Sequence, residues 1–170
     1  RIVTMMIGVL LATSAYADVA TTGDVSPSDP ATWDAATTVR IGDVSDGTLA
    51  ITGTETVETG NGYIGGQAGV TGEVLVDGTG AVWTSGETVG VGGSGYGILT
   101  VVNGGEVNVE SVYAGGLASW LGGNLSVGTG DVTISGDGSQ VTVTSGFSVG
   151  MNGDGFITVE DGSAMSTAWA

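Results

Sequence analysis

Carboxylates are the groups with which this chain would have to do chemistry. Its 170 residues include 18 Asp and Glu, opposed only by Arg1 and Arg40, and there is no His, Cys or Lys. An imidazole-activated hydroxyl or thiol nucleophile is therefore excluded, as are amine bases and Schiff bases. Zinc would meet carboxylates alone, a poor donor set for that metal. Paired carboxylates can hydrolyse glycosides, but enzymes that act on acidic sugars also supply basic groups, and past the first residue only Arg40 is basic. The segment is not expected to be an enzyme. The net charge of −16 also removes nucleic acid as a partner, since phosphates need Lys and Arg to neutralise them. An anionic membrane surface would repel the chain for the same reason.

Two stretches approach calcium-binding patterns. "GGSGYGILT" (Gly92 to Thr100) follows a calcium-binding nonapeptide except that Gly97 stands where the liganding Asp belongs. "GMNGDGFITVED" (Gly150 to Asp161) places Asn152, Asp154 and Gly155 as in an EF-hand loop, with Gly150 first and Asp161 last. A hard cation wants six or more oxygens, and this loop offers too few. Plain turns are expected at both, with no cofactor; calcium is the alternative, which chelation would expose. "GVGGSG" (Gly90 to Gly95) lies between strand patterns and is read as a turn, not a phosphate cradle. Of the aromatic residues, Trp33 and Trp83 are expected to pack at a corner of the fold, as are Tyr63 and Tyr113. Trp120 lies in an insertion, where repeat proteins carry function, and is the candidate glycan contact.

The elements that must position these residues are repeats. Ile41-Gly42, Ile64-Gly65, Val91-Gly92, Ala114-Gly115 and Val149-Gly150 recur along the chain. The alternating triplets Leu49-Ala50-Ile51, Val74-Leu75-Val76, Leu99-Thr100-Val101, Val132-Thr133-Ile134 and Ile157-Thr158-Val159 follow at steps of 25, 25, 33 and 25 residues. Val57, Val82, Val107, Val141 and Met165 form a third apolar set. The unit is thus about 25 residues, with three short β segments of period-2 alternation separated by Asp-Gly and Gly-Gly turns. The long step holds an insertion of about eight residues within Gly116 to Asp131. Trp33 and Trp83, and Tyr63 and Tyr113, stand 50 residues apart, so units alternate in kind. A β-sandwich would suit the strand spacing but not these constant steps. The expected fold is all-β: a parallel β-helix, or β-solenoid, of about six coils stacked at roughly 4.8 Å.

The first 17 residues read differently. "RIVTMMIGVLLATSAYA" has a basic start, an apolar run from Met5 to Ala12 and a small-x-small site at Ala15-Tyr16-Ala17. This is the pattern of a secretory signal peptide cleaved before Asp18, incomplete at its N-terminal side. The expected organisation is a leader over residues 1–17, a lead-in or cap over 18–30, and solenoid repeats over 31–170 that stop within a unit.

"DPATW", "VRIGDVSDGTLAITG", "GYIGGQAGVTGEVLVDGTGAVWTSGETVGVGGSGYGILTVVNGGEV" and "FSVGMNGDGFITVEDGS" resemble the repeat of type V secretion (autotransporter) passengers and of PEP-CTERM-associated surface proteins. The resemblance runs from about Asp29 to Ser163. It implies a secreted β-solenoid on the surface of a Gram-negative-type bacterium, with no catalytic residues. It also implies an outer-membrane translocator or an envelope anchor in a C-terminal part that this sequence lacks. One unit departs from the pattern, with Val141 or Val143 where a Trp is expected. The expected function is a structural and adhesive surface stalk, with polysaccharide or a host or neighbouring cell surface as partner. The alternative is a carbohydrate-binding or carbohydrate-active β-helix whose functional part lies beyond Ala170.

Overall fold

The computed structural model describes residues 19–116 and 127–168. The expected leader and Trp120 lie outside the described residues. The strands, in chain order, are β1 (Val19–Gly23), β2 (Val25–Ser26), β3 (Thr38–Ile41), β4 (Gly47–Thr52), β5 (Thr56–Thr59), β6 (Asn61–Ile64) and β7 (Thr71–Asp77). They continue with β8 (Val82–Val91), β9 (Tyr96–Val102), β10 (Glu106–Ala114), β11 (Thr129–Ser135), β12 (Gln140–Val149), β13 (Asp154–Glu160) and β14 (Ala164–Thr167). One 3-10 turn, Pro30–Thr32, precedes β3.

The chain winds into a parallel β-solenoid of about 5 coils. One sheet runs β1-β4-β7-β9-β11-β13, and the other runs β14-β12-β10-β8-β6-β3-β2, with β5 on β8. All three segments of the unit are present. In the interior coils the second and third run on as one strand, bent where the register shifts between Val109 and Ser111. The stack is one coil shorter than the sequence suggested because residues 19–37 do not make a coil. They fold back instead, β1 antiparallel on β4 and β2 antiparallel on β3.

Period-2 alternation sets the core. In β4, β7, β9 and β11 every second residue is buried. Leu49, Val74, Leu99, Val132 and Ile157 pair in one ladder, as do Ile51, Val76, Val101, Ile134 and Val159. The Ile/Val-Gly pairs stack likewise, from Ile41 through Ile64, Val91 and Ala114 to Val149. The third ladder differs from expectation. It is Val57, Trp83, Val107, Val141 and Met165, and Val82 pairs instead with Thr56 and Glu106 on the outer face.

Trp83 is accordingly not a corner residue. It is completely buried among the Val and Ile ladders, and its Nε1–H donates to Thr59 Oγ1 at 3.1 Å. Its indole occupies a hole in a neighbouring ladder, Val39, Gly62, Val89, Val112 and Phe147. A Cβ at Gly62 would stand 2.5 Å from Trp83 Cζ2. The departure at Val141 follows from the same packing. Val141 stands in the Trp83 ladder, and Val112, 50 residues after Gly62, fills the space that an indole there would use.

Candidate functional site

The corner that leads from the second sheet back to the first carries the insertion. β10 ends at Ala114 and β11 begins at Thr129, whereas β8 ends at Val91 and β9 begins at Tyr96. Glycines make this corner. Gly42, Gly65, Gly92, Gly115 and Gly150 all have φ between 67° and 79°, a region that disfavours any residue with a Cβ. Their amides continue the ladder: Gly65 N–H donates to Ile41 O at 2.9 Å, Gly92 to Ile64 O at 2.8 Å and Gly115 to Val91 O at 2.9 Å. A second column, Gly47, Gly72, Gly97, Gly130 and Gly155, stacks directly beside it. A Cβ on Gly97 would run into Gly92 N and Ile64 O. Gly97 therefore has no room for the Asp that the calcium nonapeptide would need.

Beside this corner a cleft of about 350 Å³ crosses three coils, lined by residues 68–71, 94–96 and 127–129. Tyr96 is partly exposed on its wall and Val127, at the edge of the insertion, is exposed. The cleft is open and shallow, and its lining carries no ionisable group apart from the Tyr96 phenol. It offers peptide groups, hydroxyls and one aromatic ring. A second cleft, of about 400 Å³, lies between the folded-back lead-in and β5, with Val19, Asp29, Pro30, Glu55 and Val57 in its wall. Trp33 lines the adjoining groove with Glu58 and Thr84. It is half-buried, and its Nε1–H donates to Pro27 O at 3.1 Å, so its polar edge is already used.

The carboxylates are dispersed, and four of them join neighbouring coils. Asp46 Oδ1 accepts from Thr71 N–H at 2.7 Å, Asp77 Oδ1 from Asn103 Nδ2 at 2.7 Å, Glu87 Oε2 from Asn61 Nδ2 at 2.6 Å, and Asp161 Oδ2 from Ser135 Oγ at 3.2 Å. Each partner lies one coil away. No group of three or more His, Cys, Asp or Glu suited to a metal occurs among the described residues. The EF-hand-like stretch is not a loop. Asp154 begins β13 and Asp161 follows its end, which separates them by about 20 Å of extended chain.

Asp24 has a different task. Its Oδ2 accepts backbone N–H groups of Val44 at 2.7 Å, Asp43 at 3.1 Å and Ser45 at 3.2 Å. These hydrogen bonds hold its carboxyl below the ordinary value of 3.8. Asp34 is also lowered, by the Thr37 hydroxyl and then by the Ala36 amide. Tyr63 is shifted the other way: burial raises its phenol, Arg40 opposes that shift and Glu87 adds to it. The Arg40 guanidinium lies 5.8 Å from the Tyr63 ring centroid and Nε is 3.9 Å from Asp43 Oδ2.

Fold and ladders together define the class: a parallel β-solenoid repeat protein. No family model, curated protein or solved structure matches the chain.

Proposed function

We propose that the chain is a secreted structural and adhesive rod, held at the surface of a bacterium of the Gram-negative type. A stack of coils hydrogen-bonded along its axis is stiff, and it presents whatever its corners carry at a distance from the cell. The observation that carries this reading is the location of the insertion. The extra residues lie in the chain between β10 and β11, after one glycine of the corner, while the ladders on either side keep their register. Carboxylates used as ties between coils also favour a scaffold over a catalyst. Within this reading Trp120 and the Tyr96 cleft are the contact region for a polysaccharide or a neighbouring cell surface.

The test is to produce the chain behind a complete leader, fractionate the culture, and pass the secreted material over immobilised neutral and acidic polysaccharides. The expected protein begins at Asp18 by mass and is found outside the cytoplasm. Trp120→Ala should then lower retention on polysaccharide while the far-ultraviolet β signal is unchanged. Retention of the intact leader inside the cell would overturn the surface reading. Release of new reducing ends from a polysaccharide would favour the carbohydrate-active alternative.

A further inference from the structure

The folded-back lead-in covers two of the three strand edges at its end of the stack and leaves the third. β1 lies on β4 and β2 on β3, but β5 pairs on one side only, with β8. Val82 N–H donates to Glu55 O at 2.9 Å, which fixes the phase of that parallel pairing. The peptide groups of Val57 therefore face β8, and those of Thr56 and Glu58 face the opposite side. No backbone hydrogen bond joins these outward groups to another described residue.

Local turn chemistry makes this gap. Residues 31–34 stand 25 residues before β5, where a pairing strand would run. They turn aside instead. Pro30 has no N–H to give a ladder, Asp29 Oδ1 accepts from Ala31 N–H at 3.1 Å, and Trp33 N–H donates to Pro30 O at 3.2 Å. Asp34 Oδ1 then accepts from Ala36 N–H at 3.0 Å. Such local hydrogen bonds compete with strand pairing. The chain rejoins the stack at Thr37, whose carbonyl accepts from Gly60 N–H at 2.8 Å, just past the end of β5. Between these points lie the cleft of about 400 Å³ and the Trp33 groove, which share Pro30, Thr56 and Val57 in their walls.

We propose that this cleft takes an extended peptide with basic side chains, which adds to β5 as a further strand. Thr56 and Glu58 offer N–H and C=O groups about 6.6 Å apart, two residues of strand, and a second strand answers them at the same repeat. The charge of the walls selects the side chains. Asp29, Glu55 and Glu58 bring three carboxylates to the cleft and its adjoining groove, and no basic residue lines either. Arg40, the one basic residue among the described residues, lies instead beside Tyr63 and Asp43. A second copy is the poorer occupant, because each copy carries a net charge of −16, which opposes association. This inference rests on the edge of β5 and not on the surface function proposed above.

The probe is an N-acetylated, C-amidated Lys-Val-Lys-Val-Lys-Val hexapeptide, titrated into the full chain and followed by amide exchange. Saturable binding is expected, with the amides of Thr56 and Glu58 exchanging at least about tenfold more slowly in the complex. The same hexapeptide methylated at every backbone nitrogen keeps its charge and loses its donors, and should bind at least about tenfold more weakly. A Glu-Val hexapeptide should not bind, and Glu58→Lys should weaken the Lys-Val complex about tenfold. Absence of binding, equal binding of the methylated peptide, or an unchanged affinity in Glu58→Lys would overturn the proposal. So would amides of Thr56 and Glu58 already protected in the protein alone, because residues 31–34 would then close the edge themselves. Slowed exchange at these two amides with a neutral polysaccharide and not with the peptide would assign the cleft to a glycan.

Discussion

The two ends of the stack face the same physical problem and are treated differently. An end coil exposes a row of backbone donors and acceptors and a cross-section of core. At the N-terminal end the chain folds back. β1 covers β4, β2 covers β3, and one carboxylate replaces the missing coil. In the interior, Gly66 N–H donates to Gly42 O at 2.8 Å and Ser94 N–H to Gly66 O at 2.9 Å. The corresponding amides of the first corner find Asp24 Oδ2. At the C-terminal end β13 and β14 keep the geometry of an interior coil, and their inner side chains are exposed. The first coil is thus closed by chain that departs from the repeat, while the last described coil keeps the repeat geometry.

Three sets of variants would break or sharpen this contrast. The largest effect is expected at the glycine corner. Gly92→Ala forces a Cβ into Thr129 O and Gly130 N at φ 75°, and should cost more than about 4 kcal/mol, outside the usual range for a point change. Gly150→Ala meets no backbone of a following coil, only Gly153 O at 3.3 Å, and should cost little beyond the conformational penalty of about 1–2 kcal/mol. Urea titrations of the two variants measure the difference, and equal costs would mean that stacking does not require the close approach.

Next in size is the core. Val101→Ala should cost about 2 kcal/mol, from about 0.8 kcal/mol per buried methylene plus the cavity left behind. Val159→Ala, in the same ladder but 45% exposed, should cost about half as much or less, and a matching loss would show that the last coil is covered in solution. The smallest effect is expected at the cap. The Asp24 carboxyl titrates lower folded than unfolded, so its contribution is present above 3.8 and is lost as pH falls through the lowered value. The difference in melting temperature between the parent and Asp24→Asn should be clear at neutral pH and shrink as pH falls below 3.8. A difference that persists in acid would assign the cap to shape and not to charge.

Much of this fold is legible in the chain. The triplets from Leu49 to Val159 pair residue for residue as their spacing predicts, because inward alternation leaves only one register with a dry interior. Trp83 is not placed by that logic. Val82 and Trp83 are both apolar, and only the hole at Gly62 decides which faces inward. The second glycine column was readable too, since Gly47, Gly72, Gly97, Gly130 and Gly155 each stand two residues before a triplet. Glycines read as turn markers conceal that some of them make room for a neighbouring backbone. The Asp24 cap could not be read at all, since it depends on a fold-back that brings residues 24 and 44 together. At the candidate site, the location of the insertion was legible to within a few residues. The role of the carboxylates was not, because a spacing of one coil between Asp46 and Thr71 gains meaning only after the coils are stacked.

The indole in the hole at Gly62 also ties together the two coils that carry this pair. Removal of residues 71–95 takes the indole away and leaves the hole. Removal of residues 46–70 takes the hole away and drives Trp83 against Val39. Only the joint removal of residues 46–95 leaves neither a void nor a clash. Shortened chains should therefore tolerate the two-coil excision, about 10 Å of rod, better than either single one, as thermal melts of the three would show. By that rule these two coils can be lost only together, held as a pair by one interlocking contact.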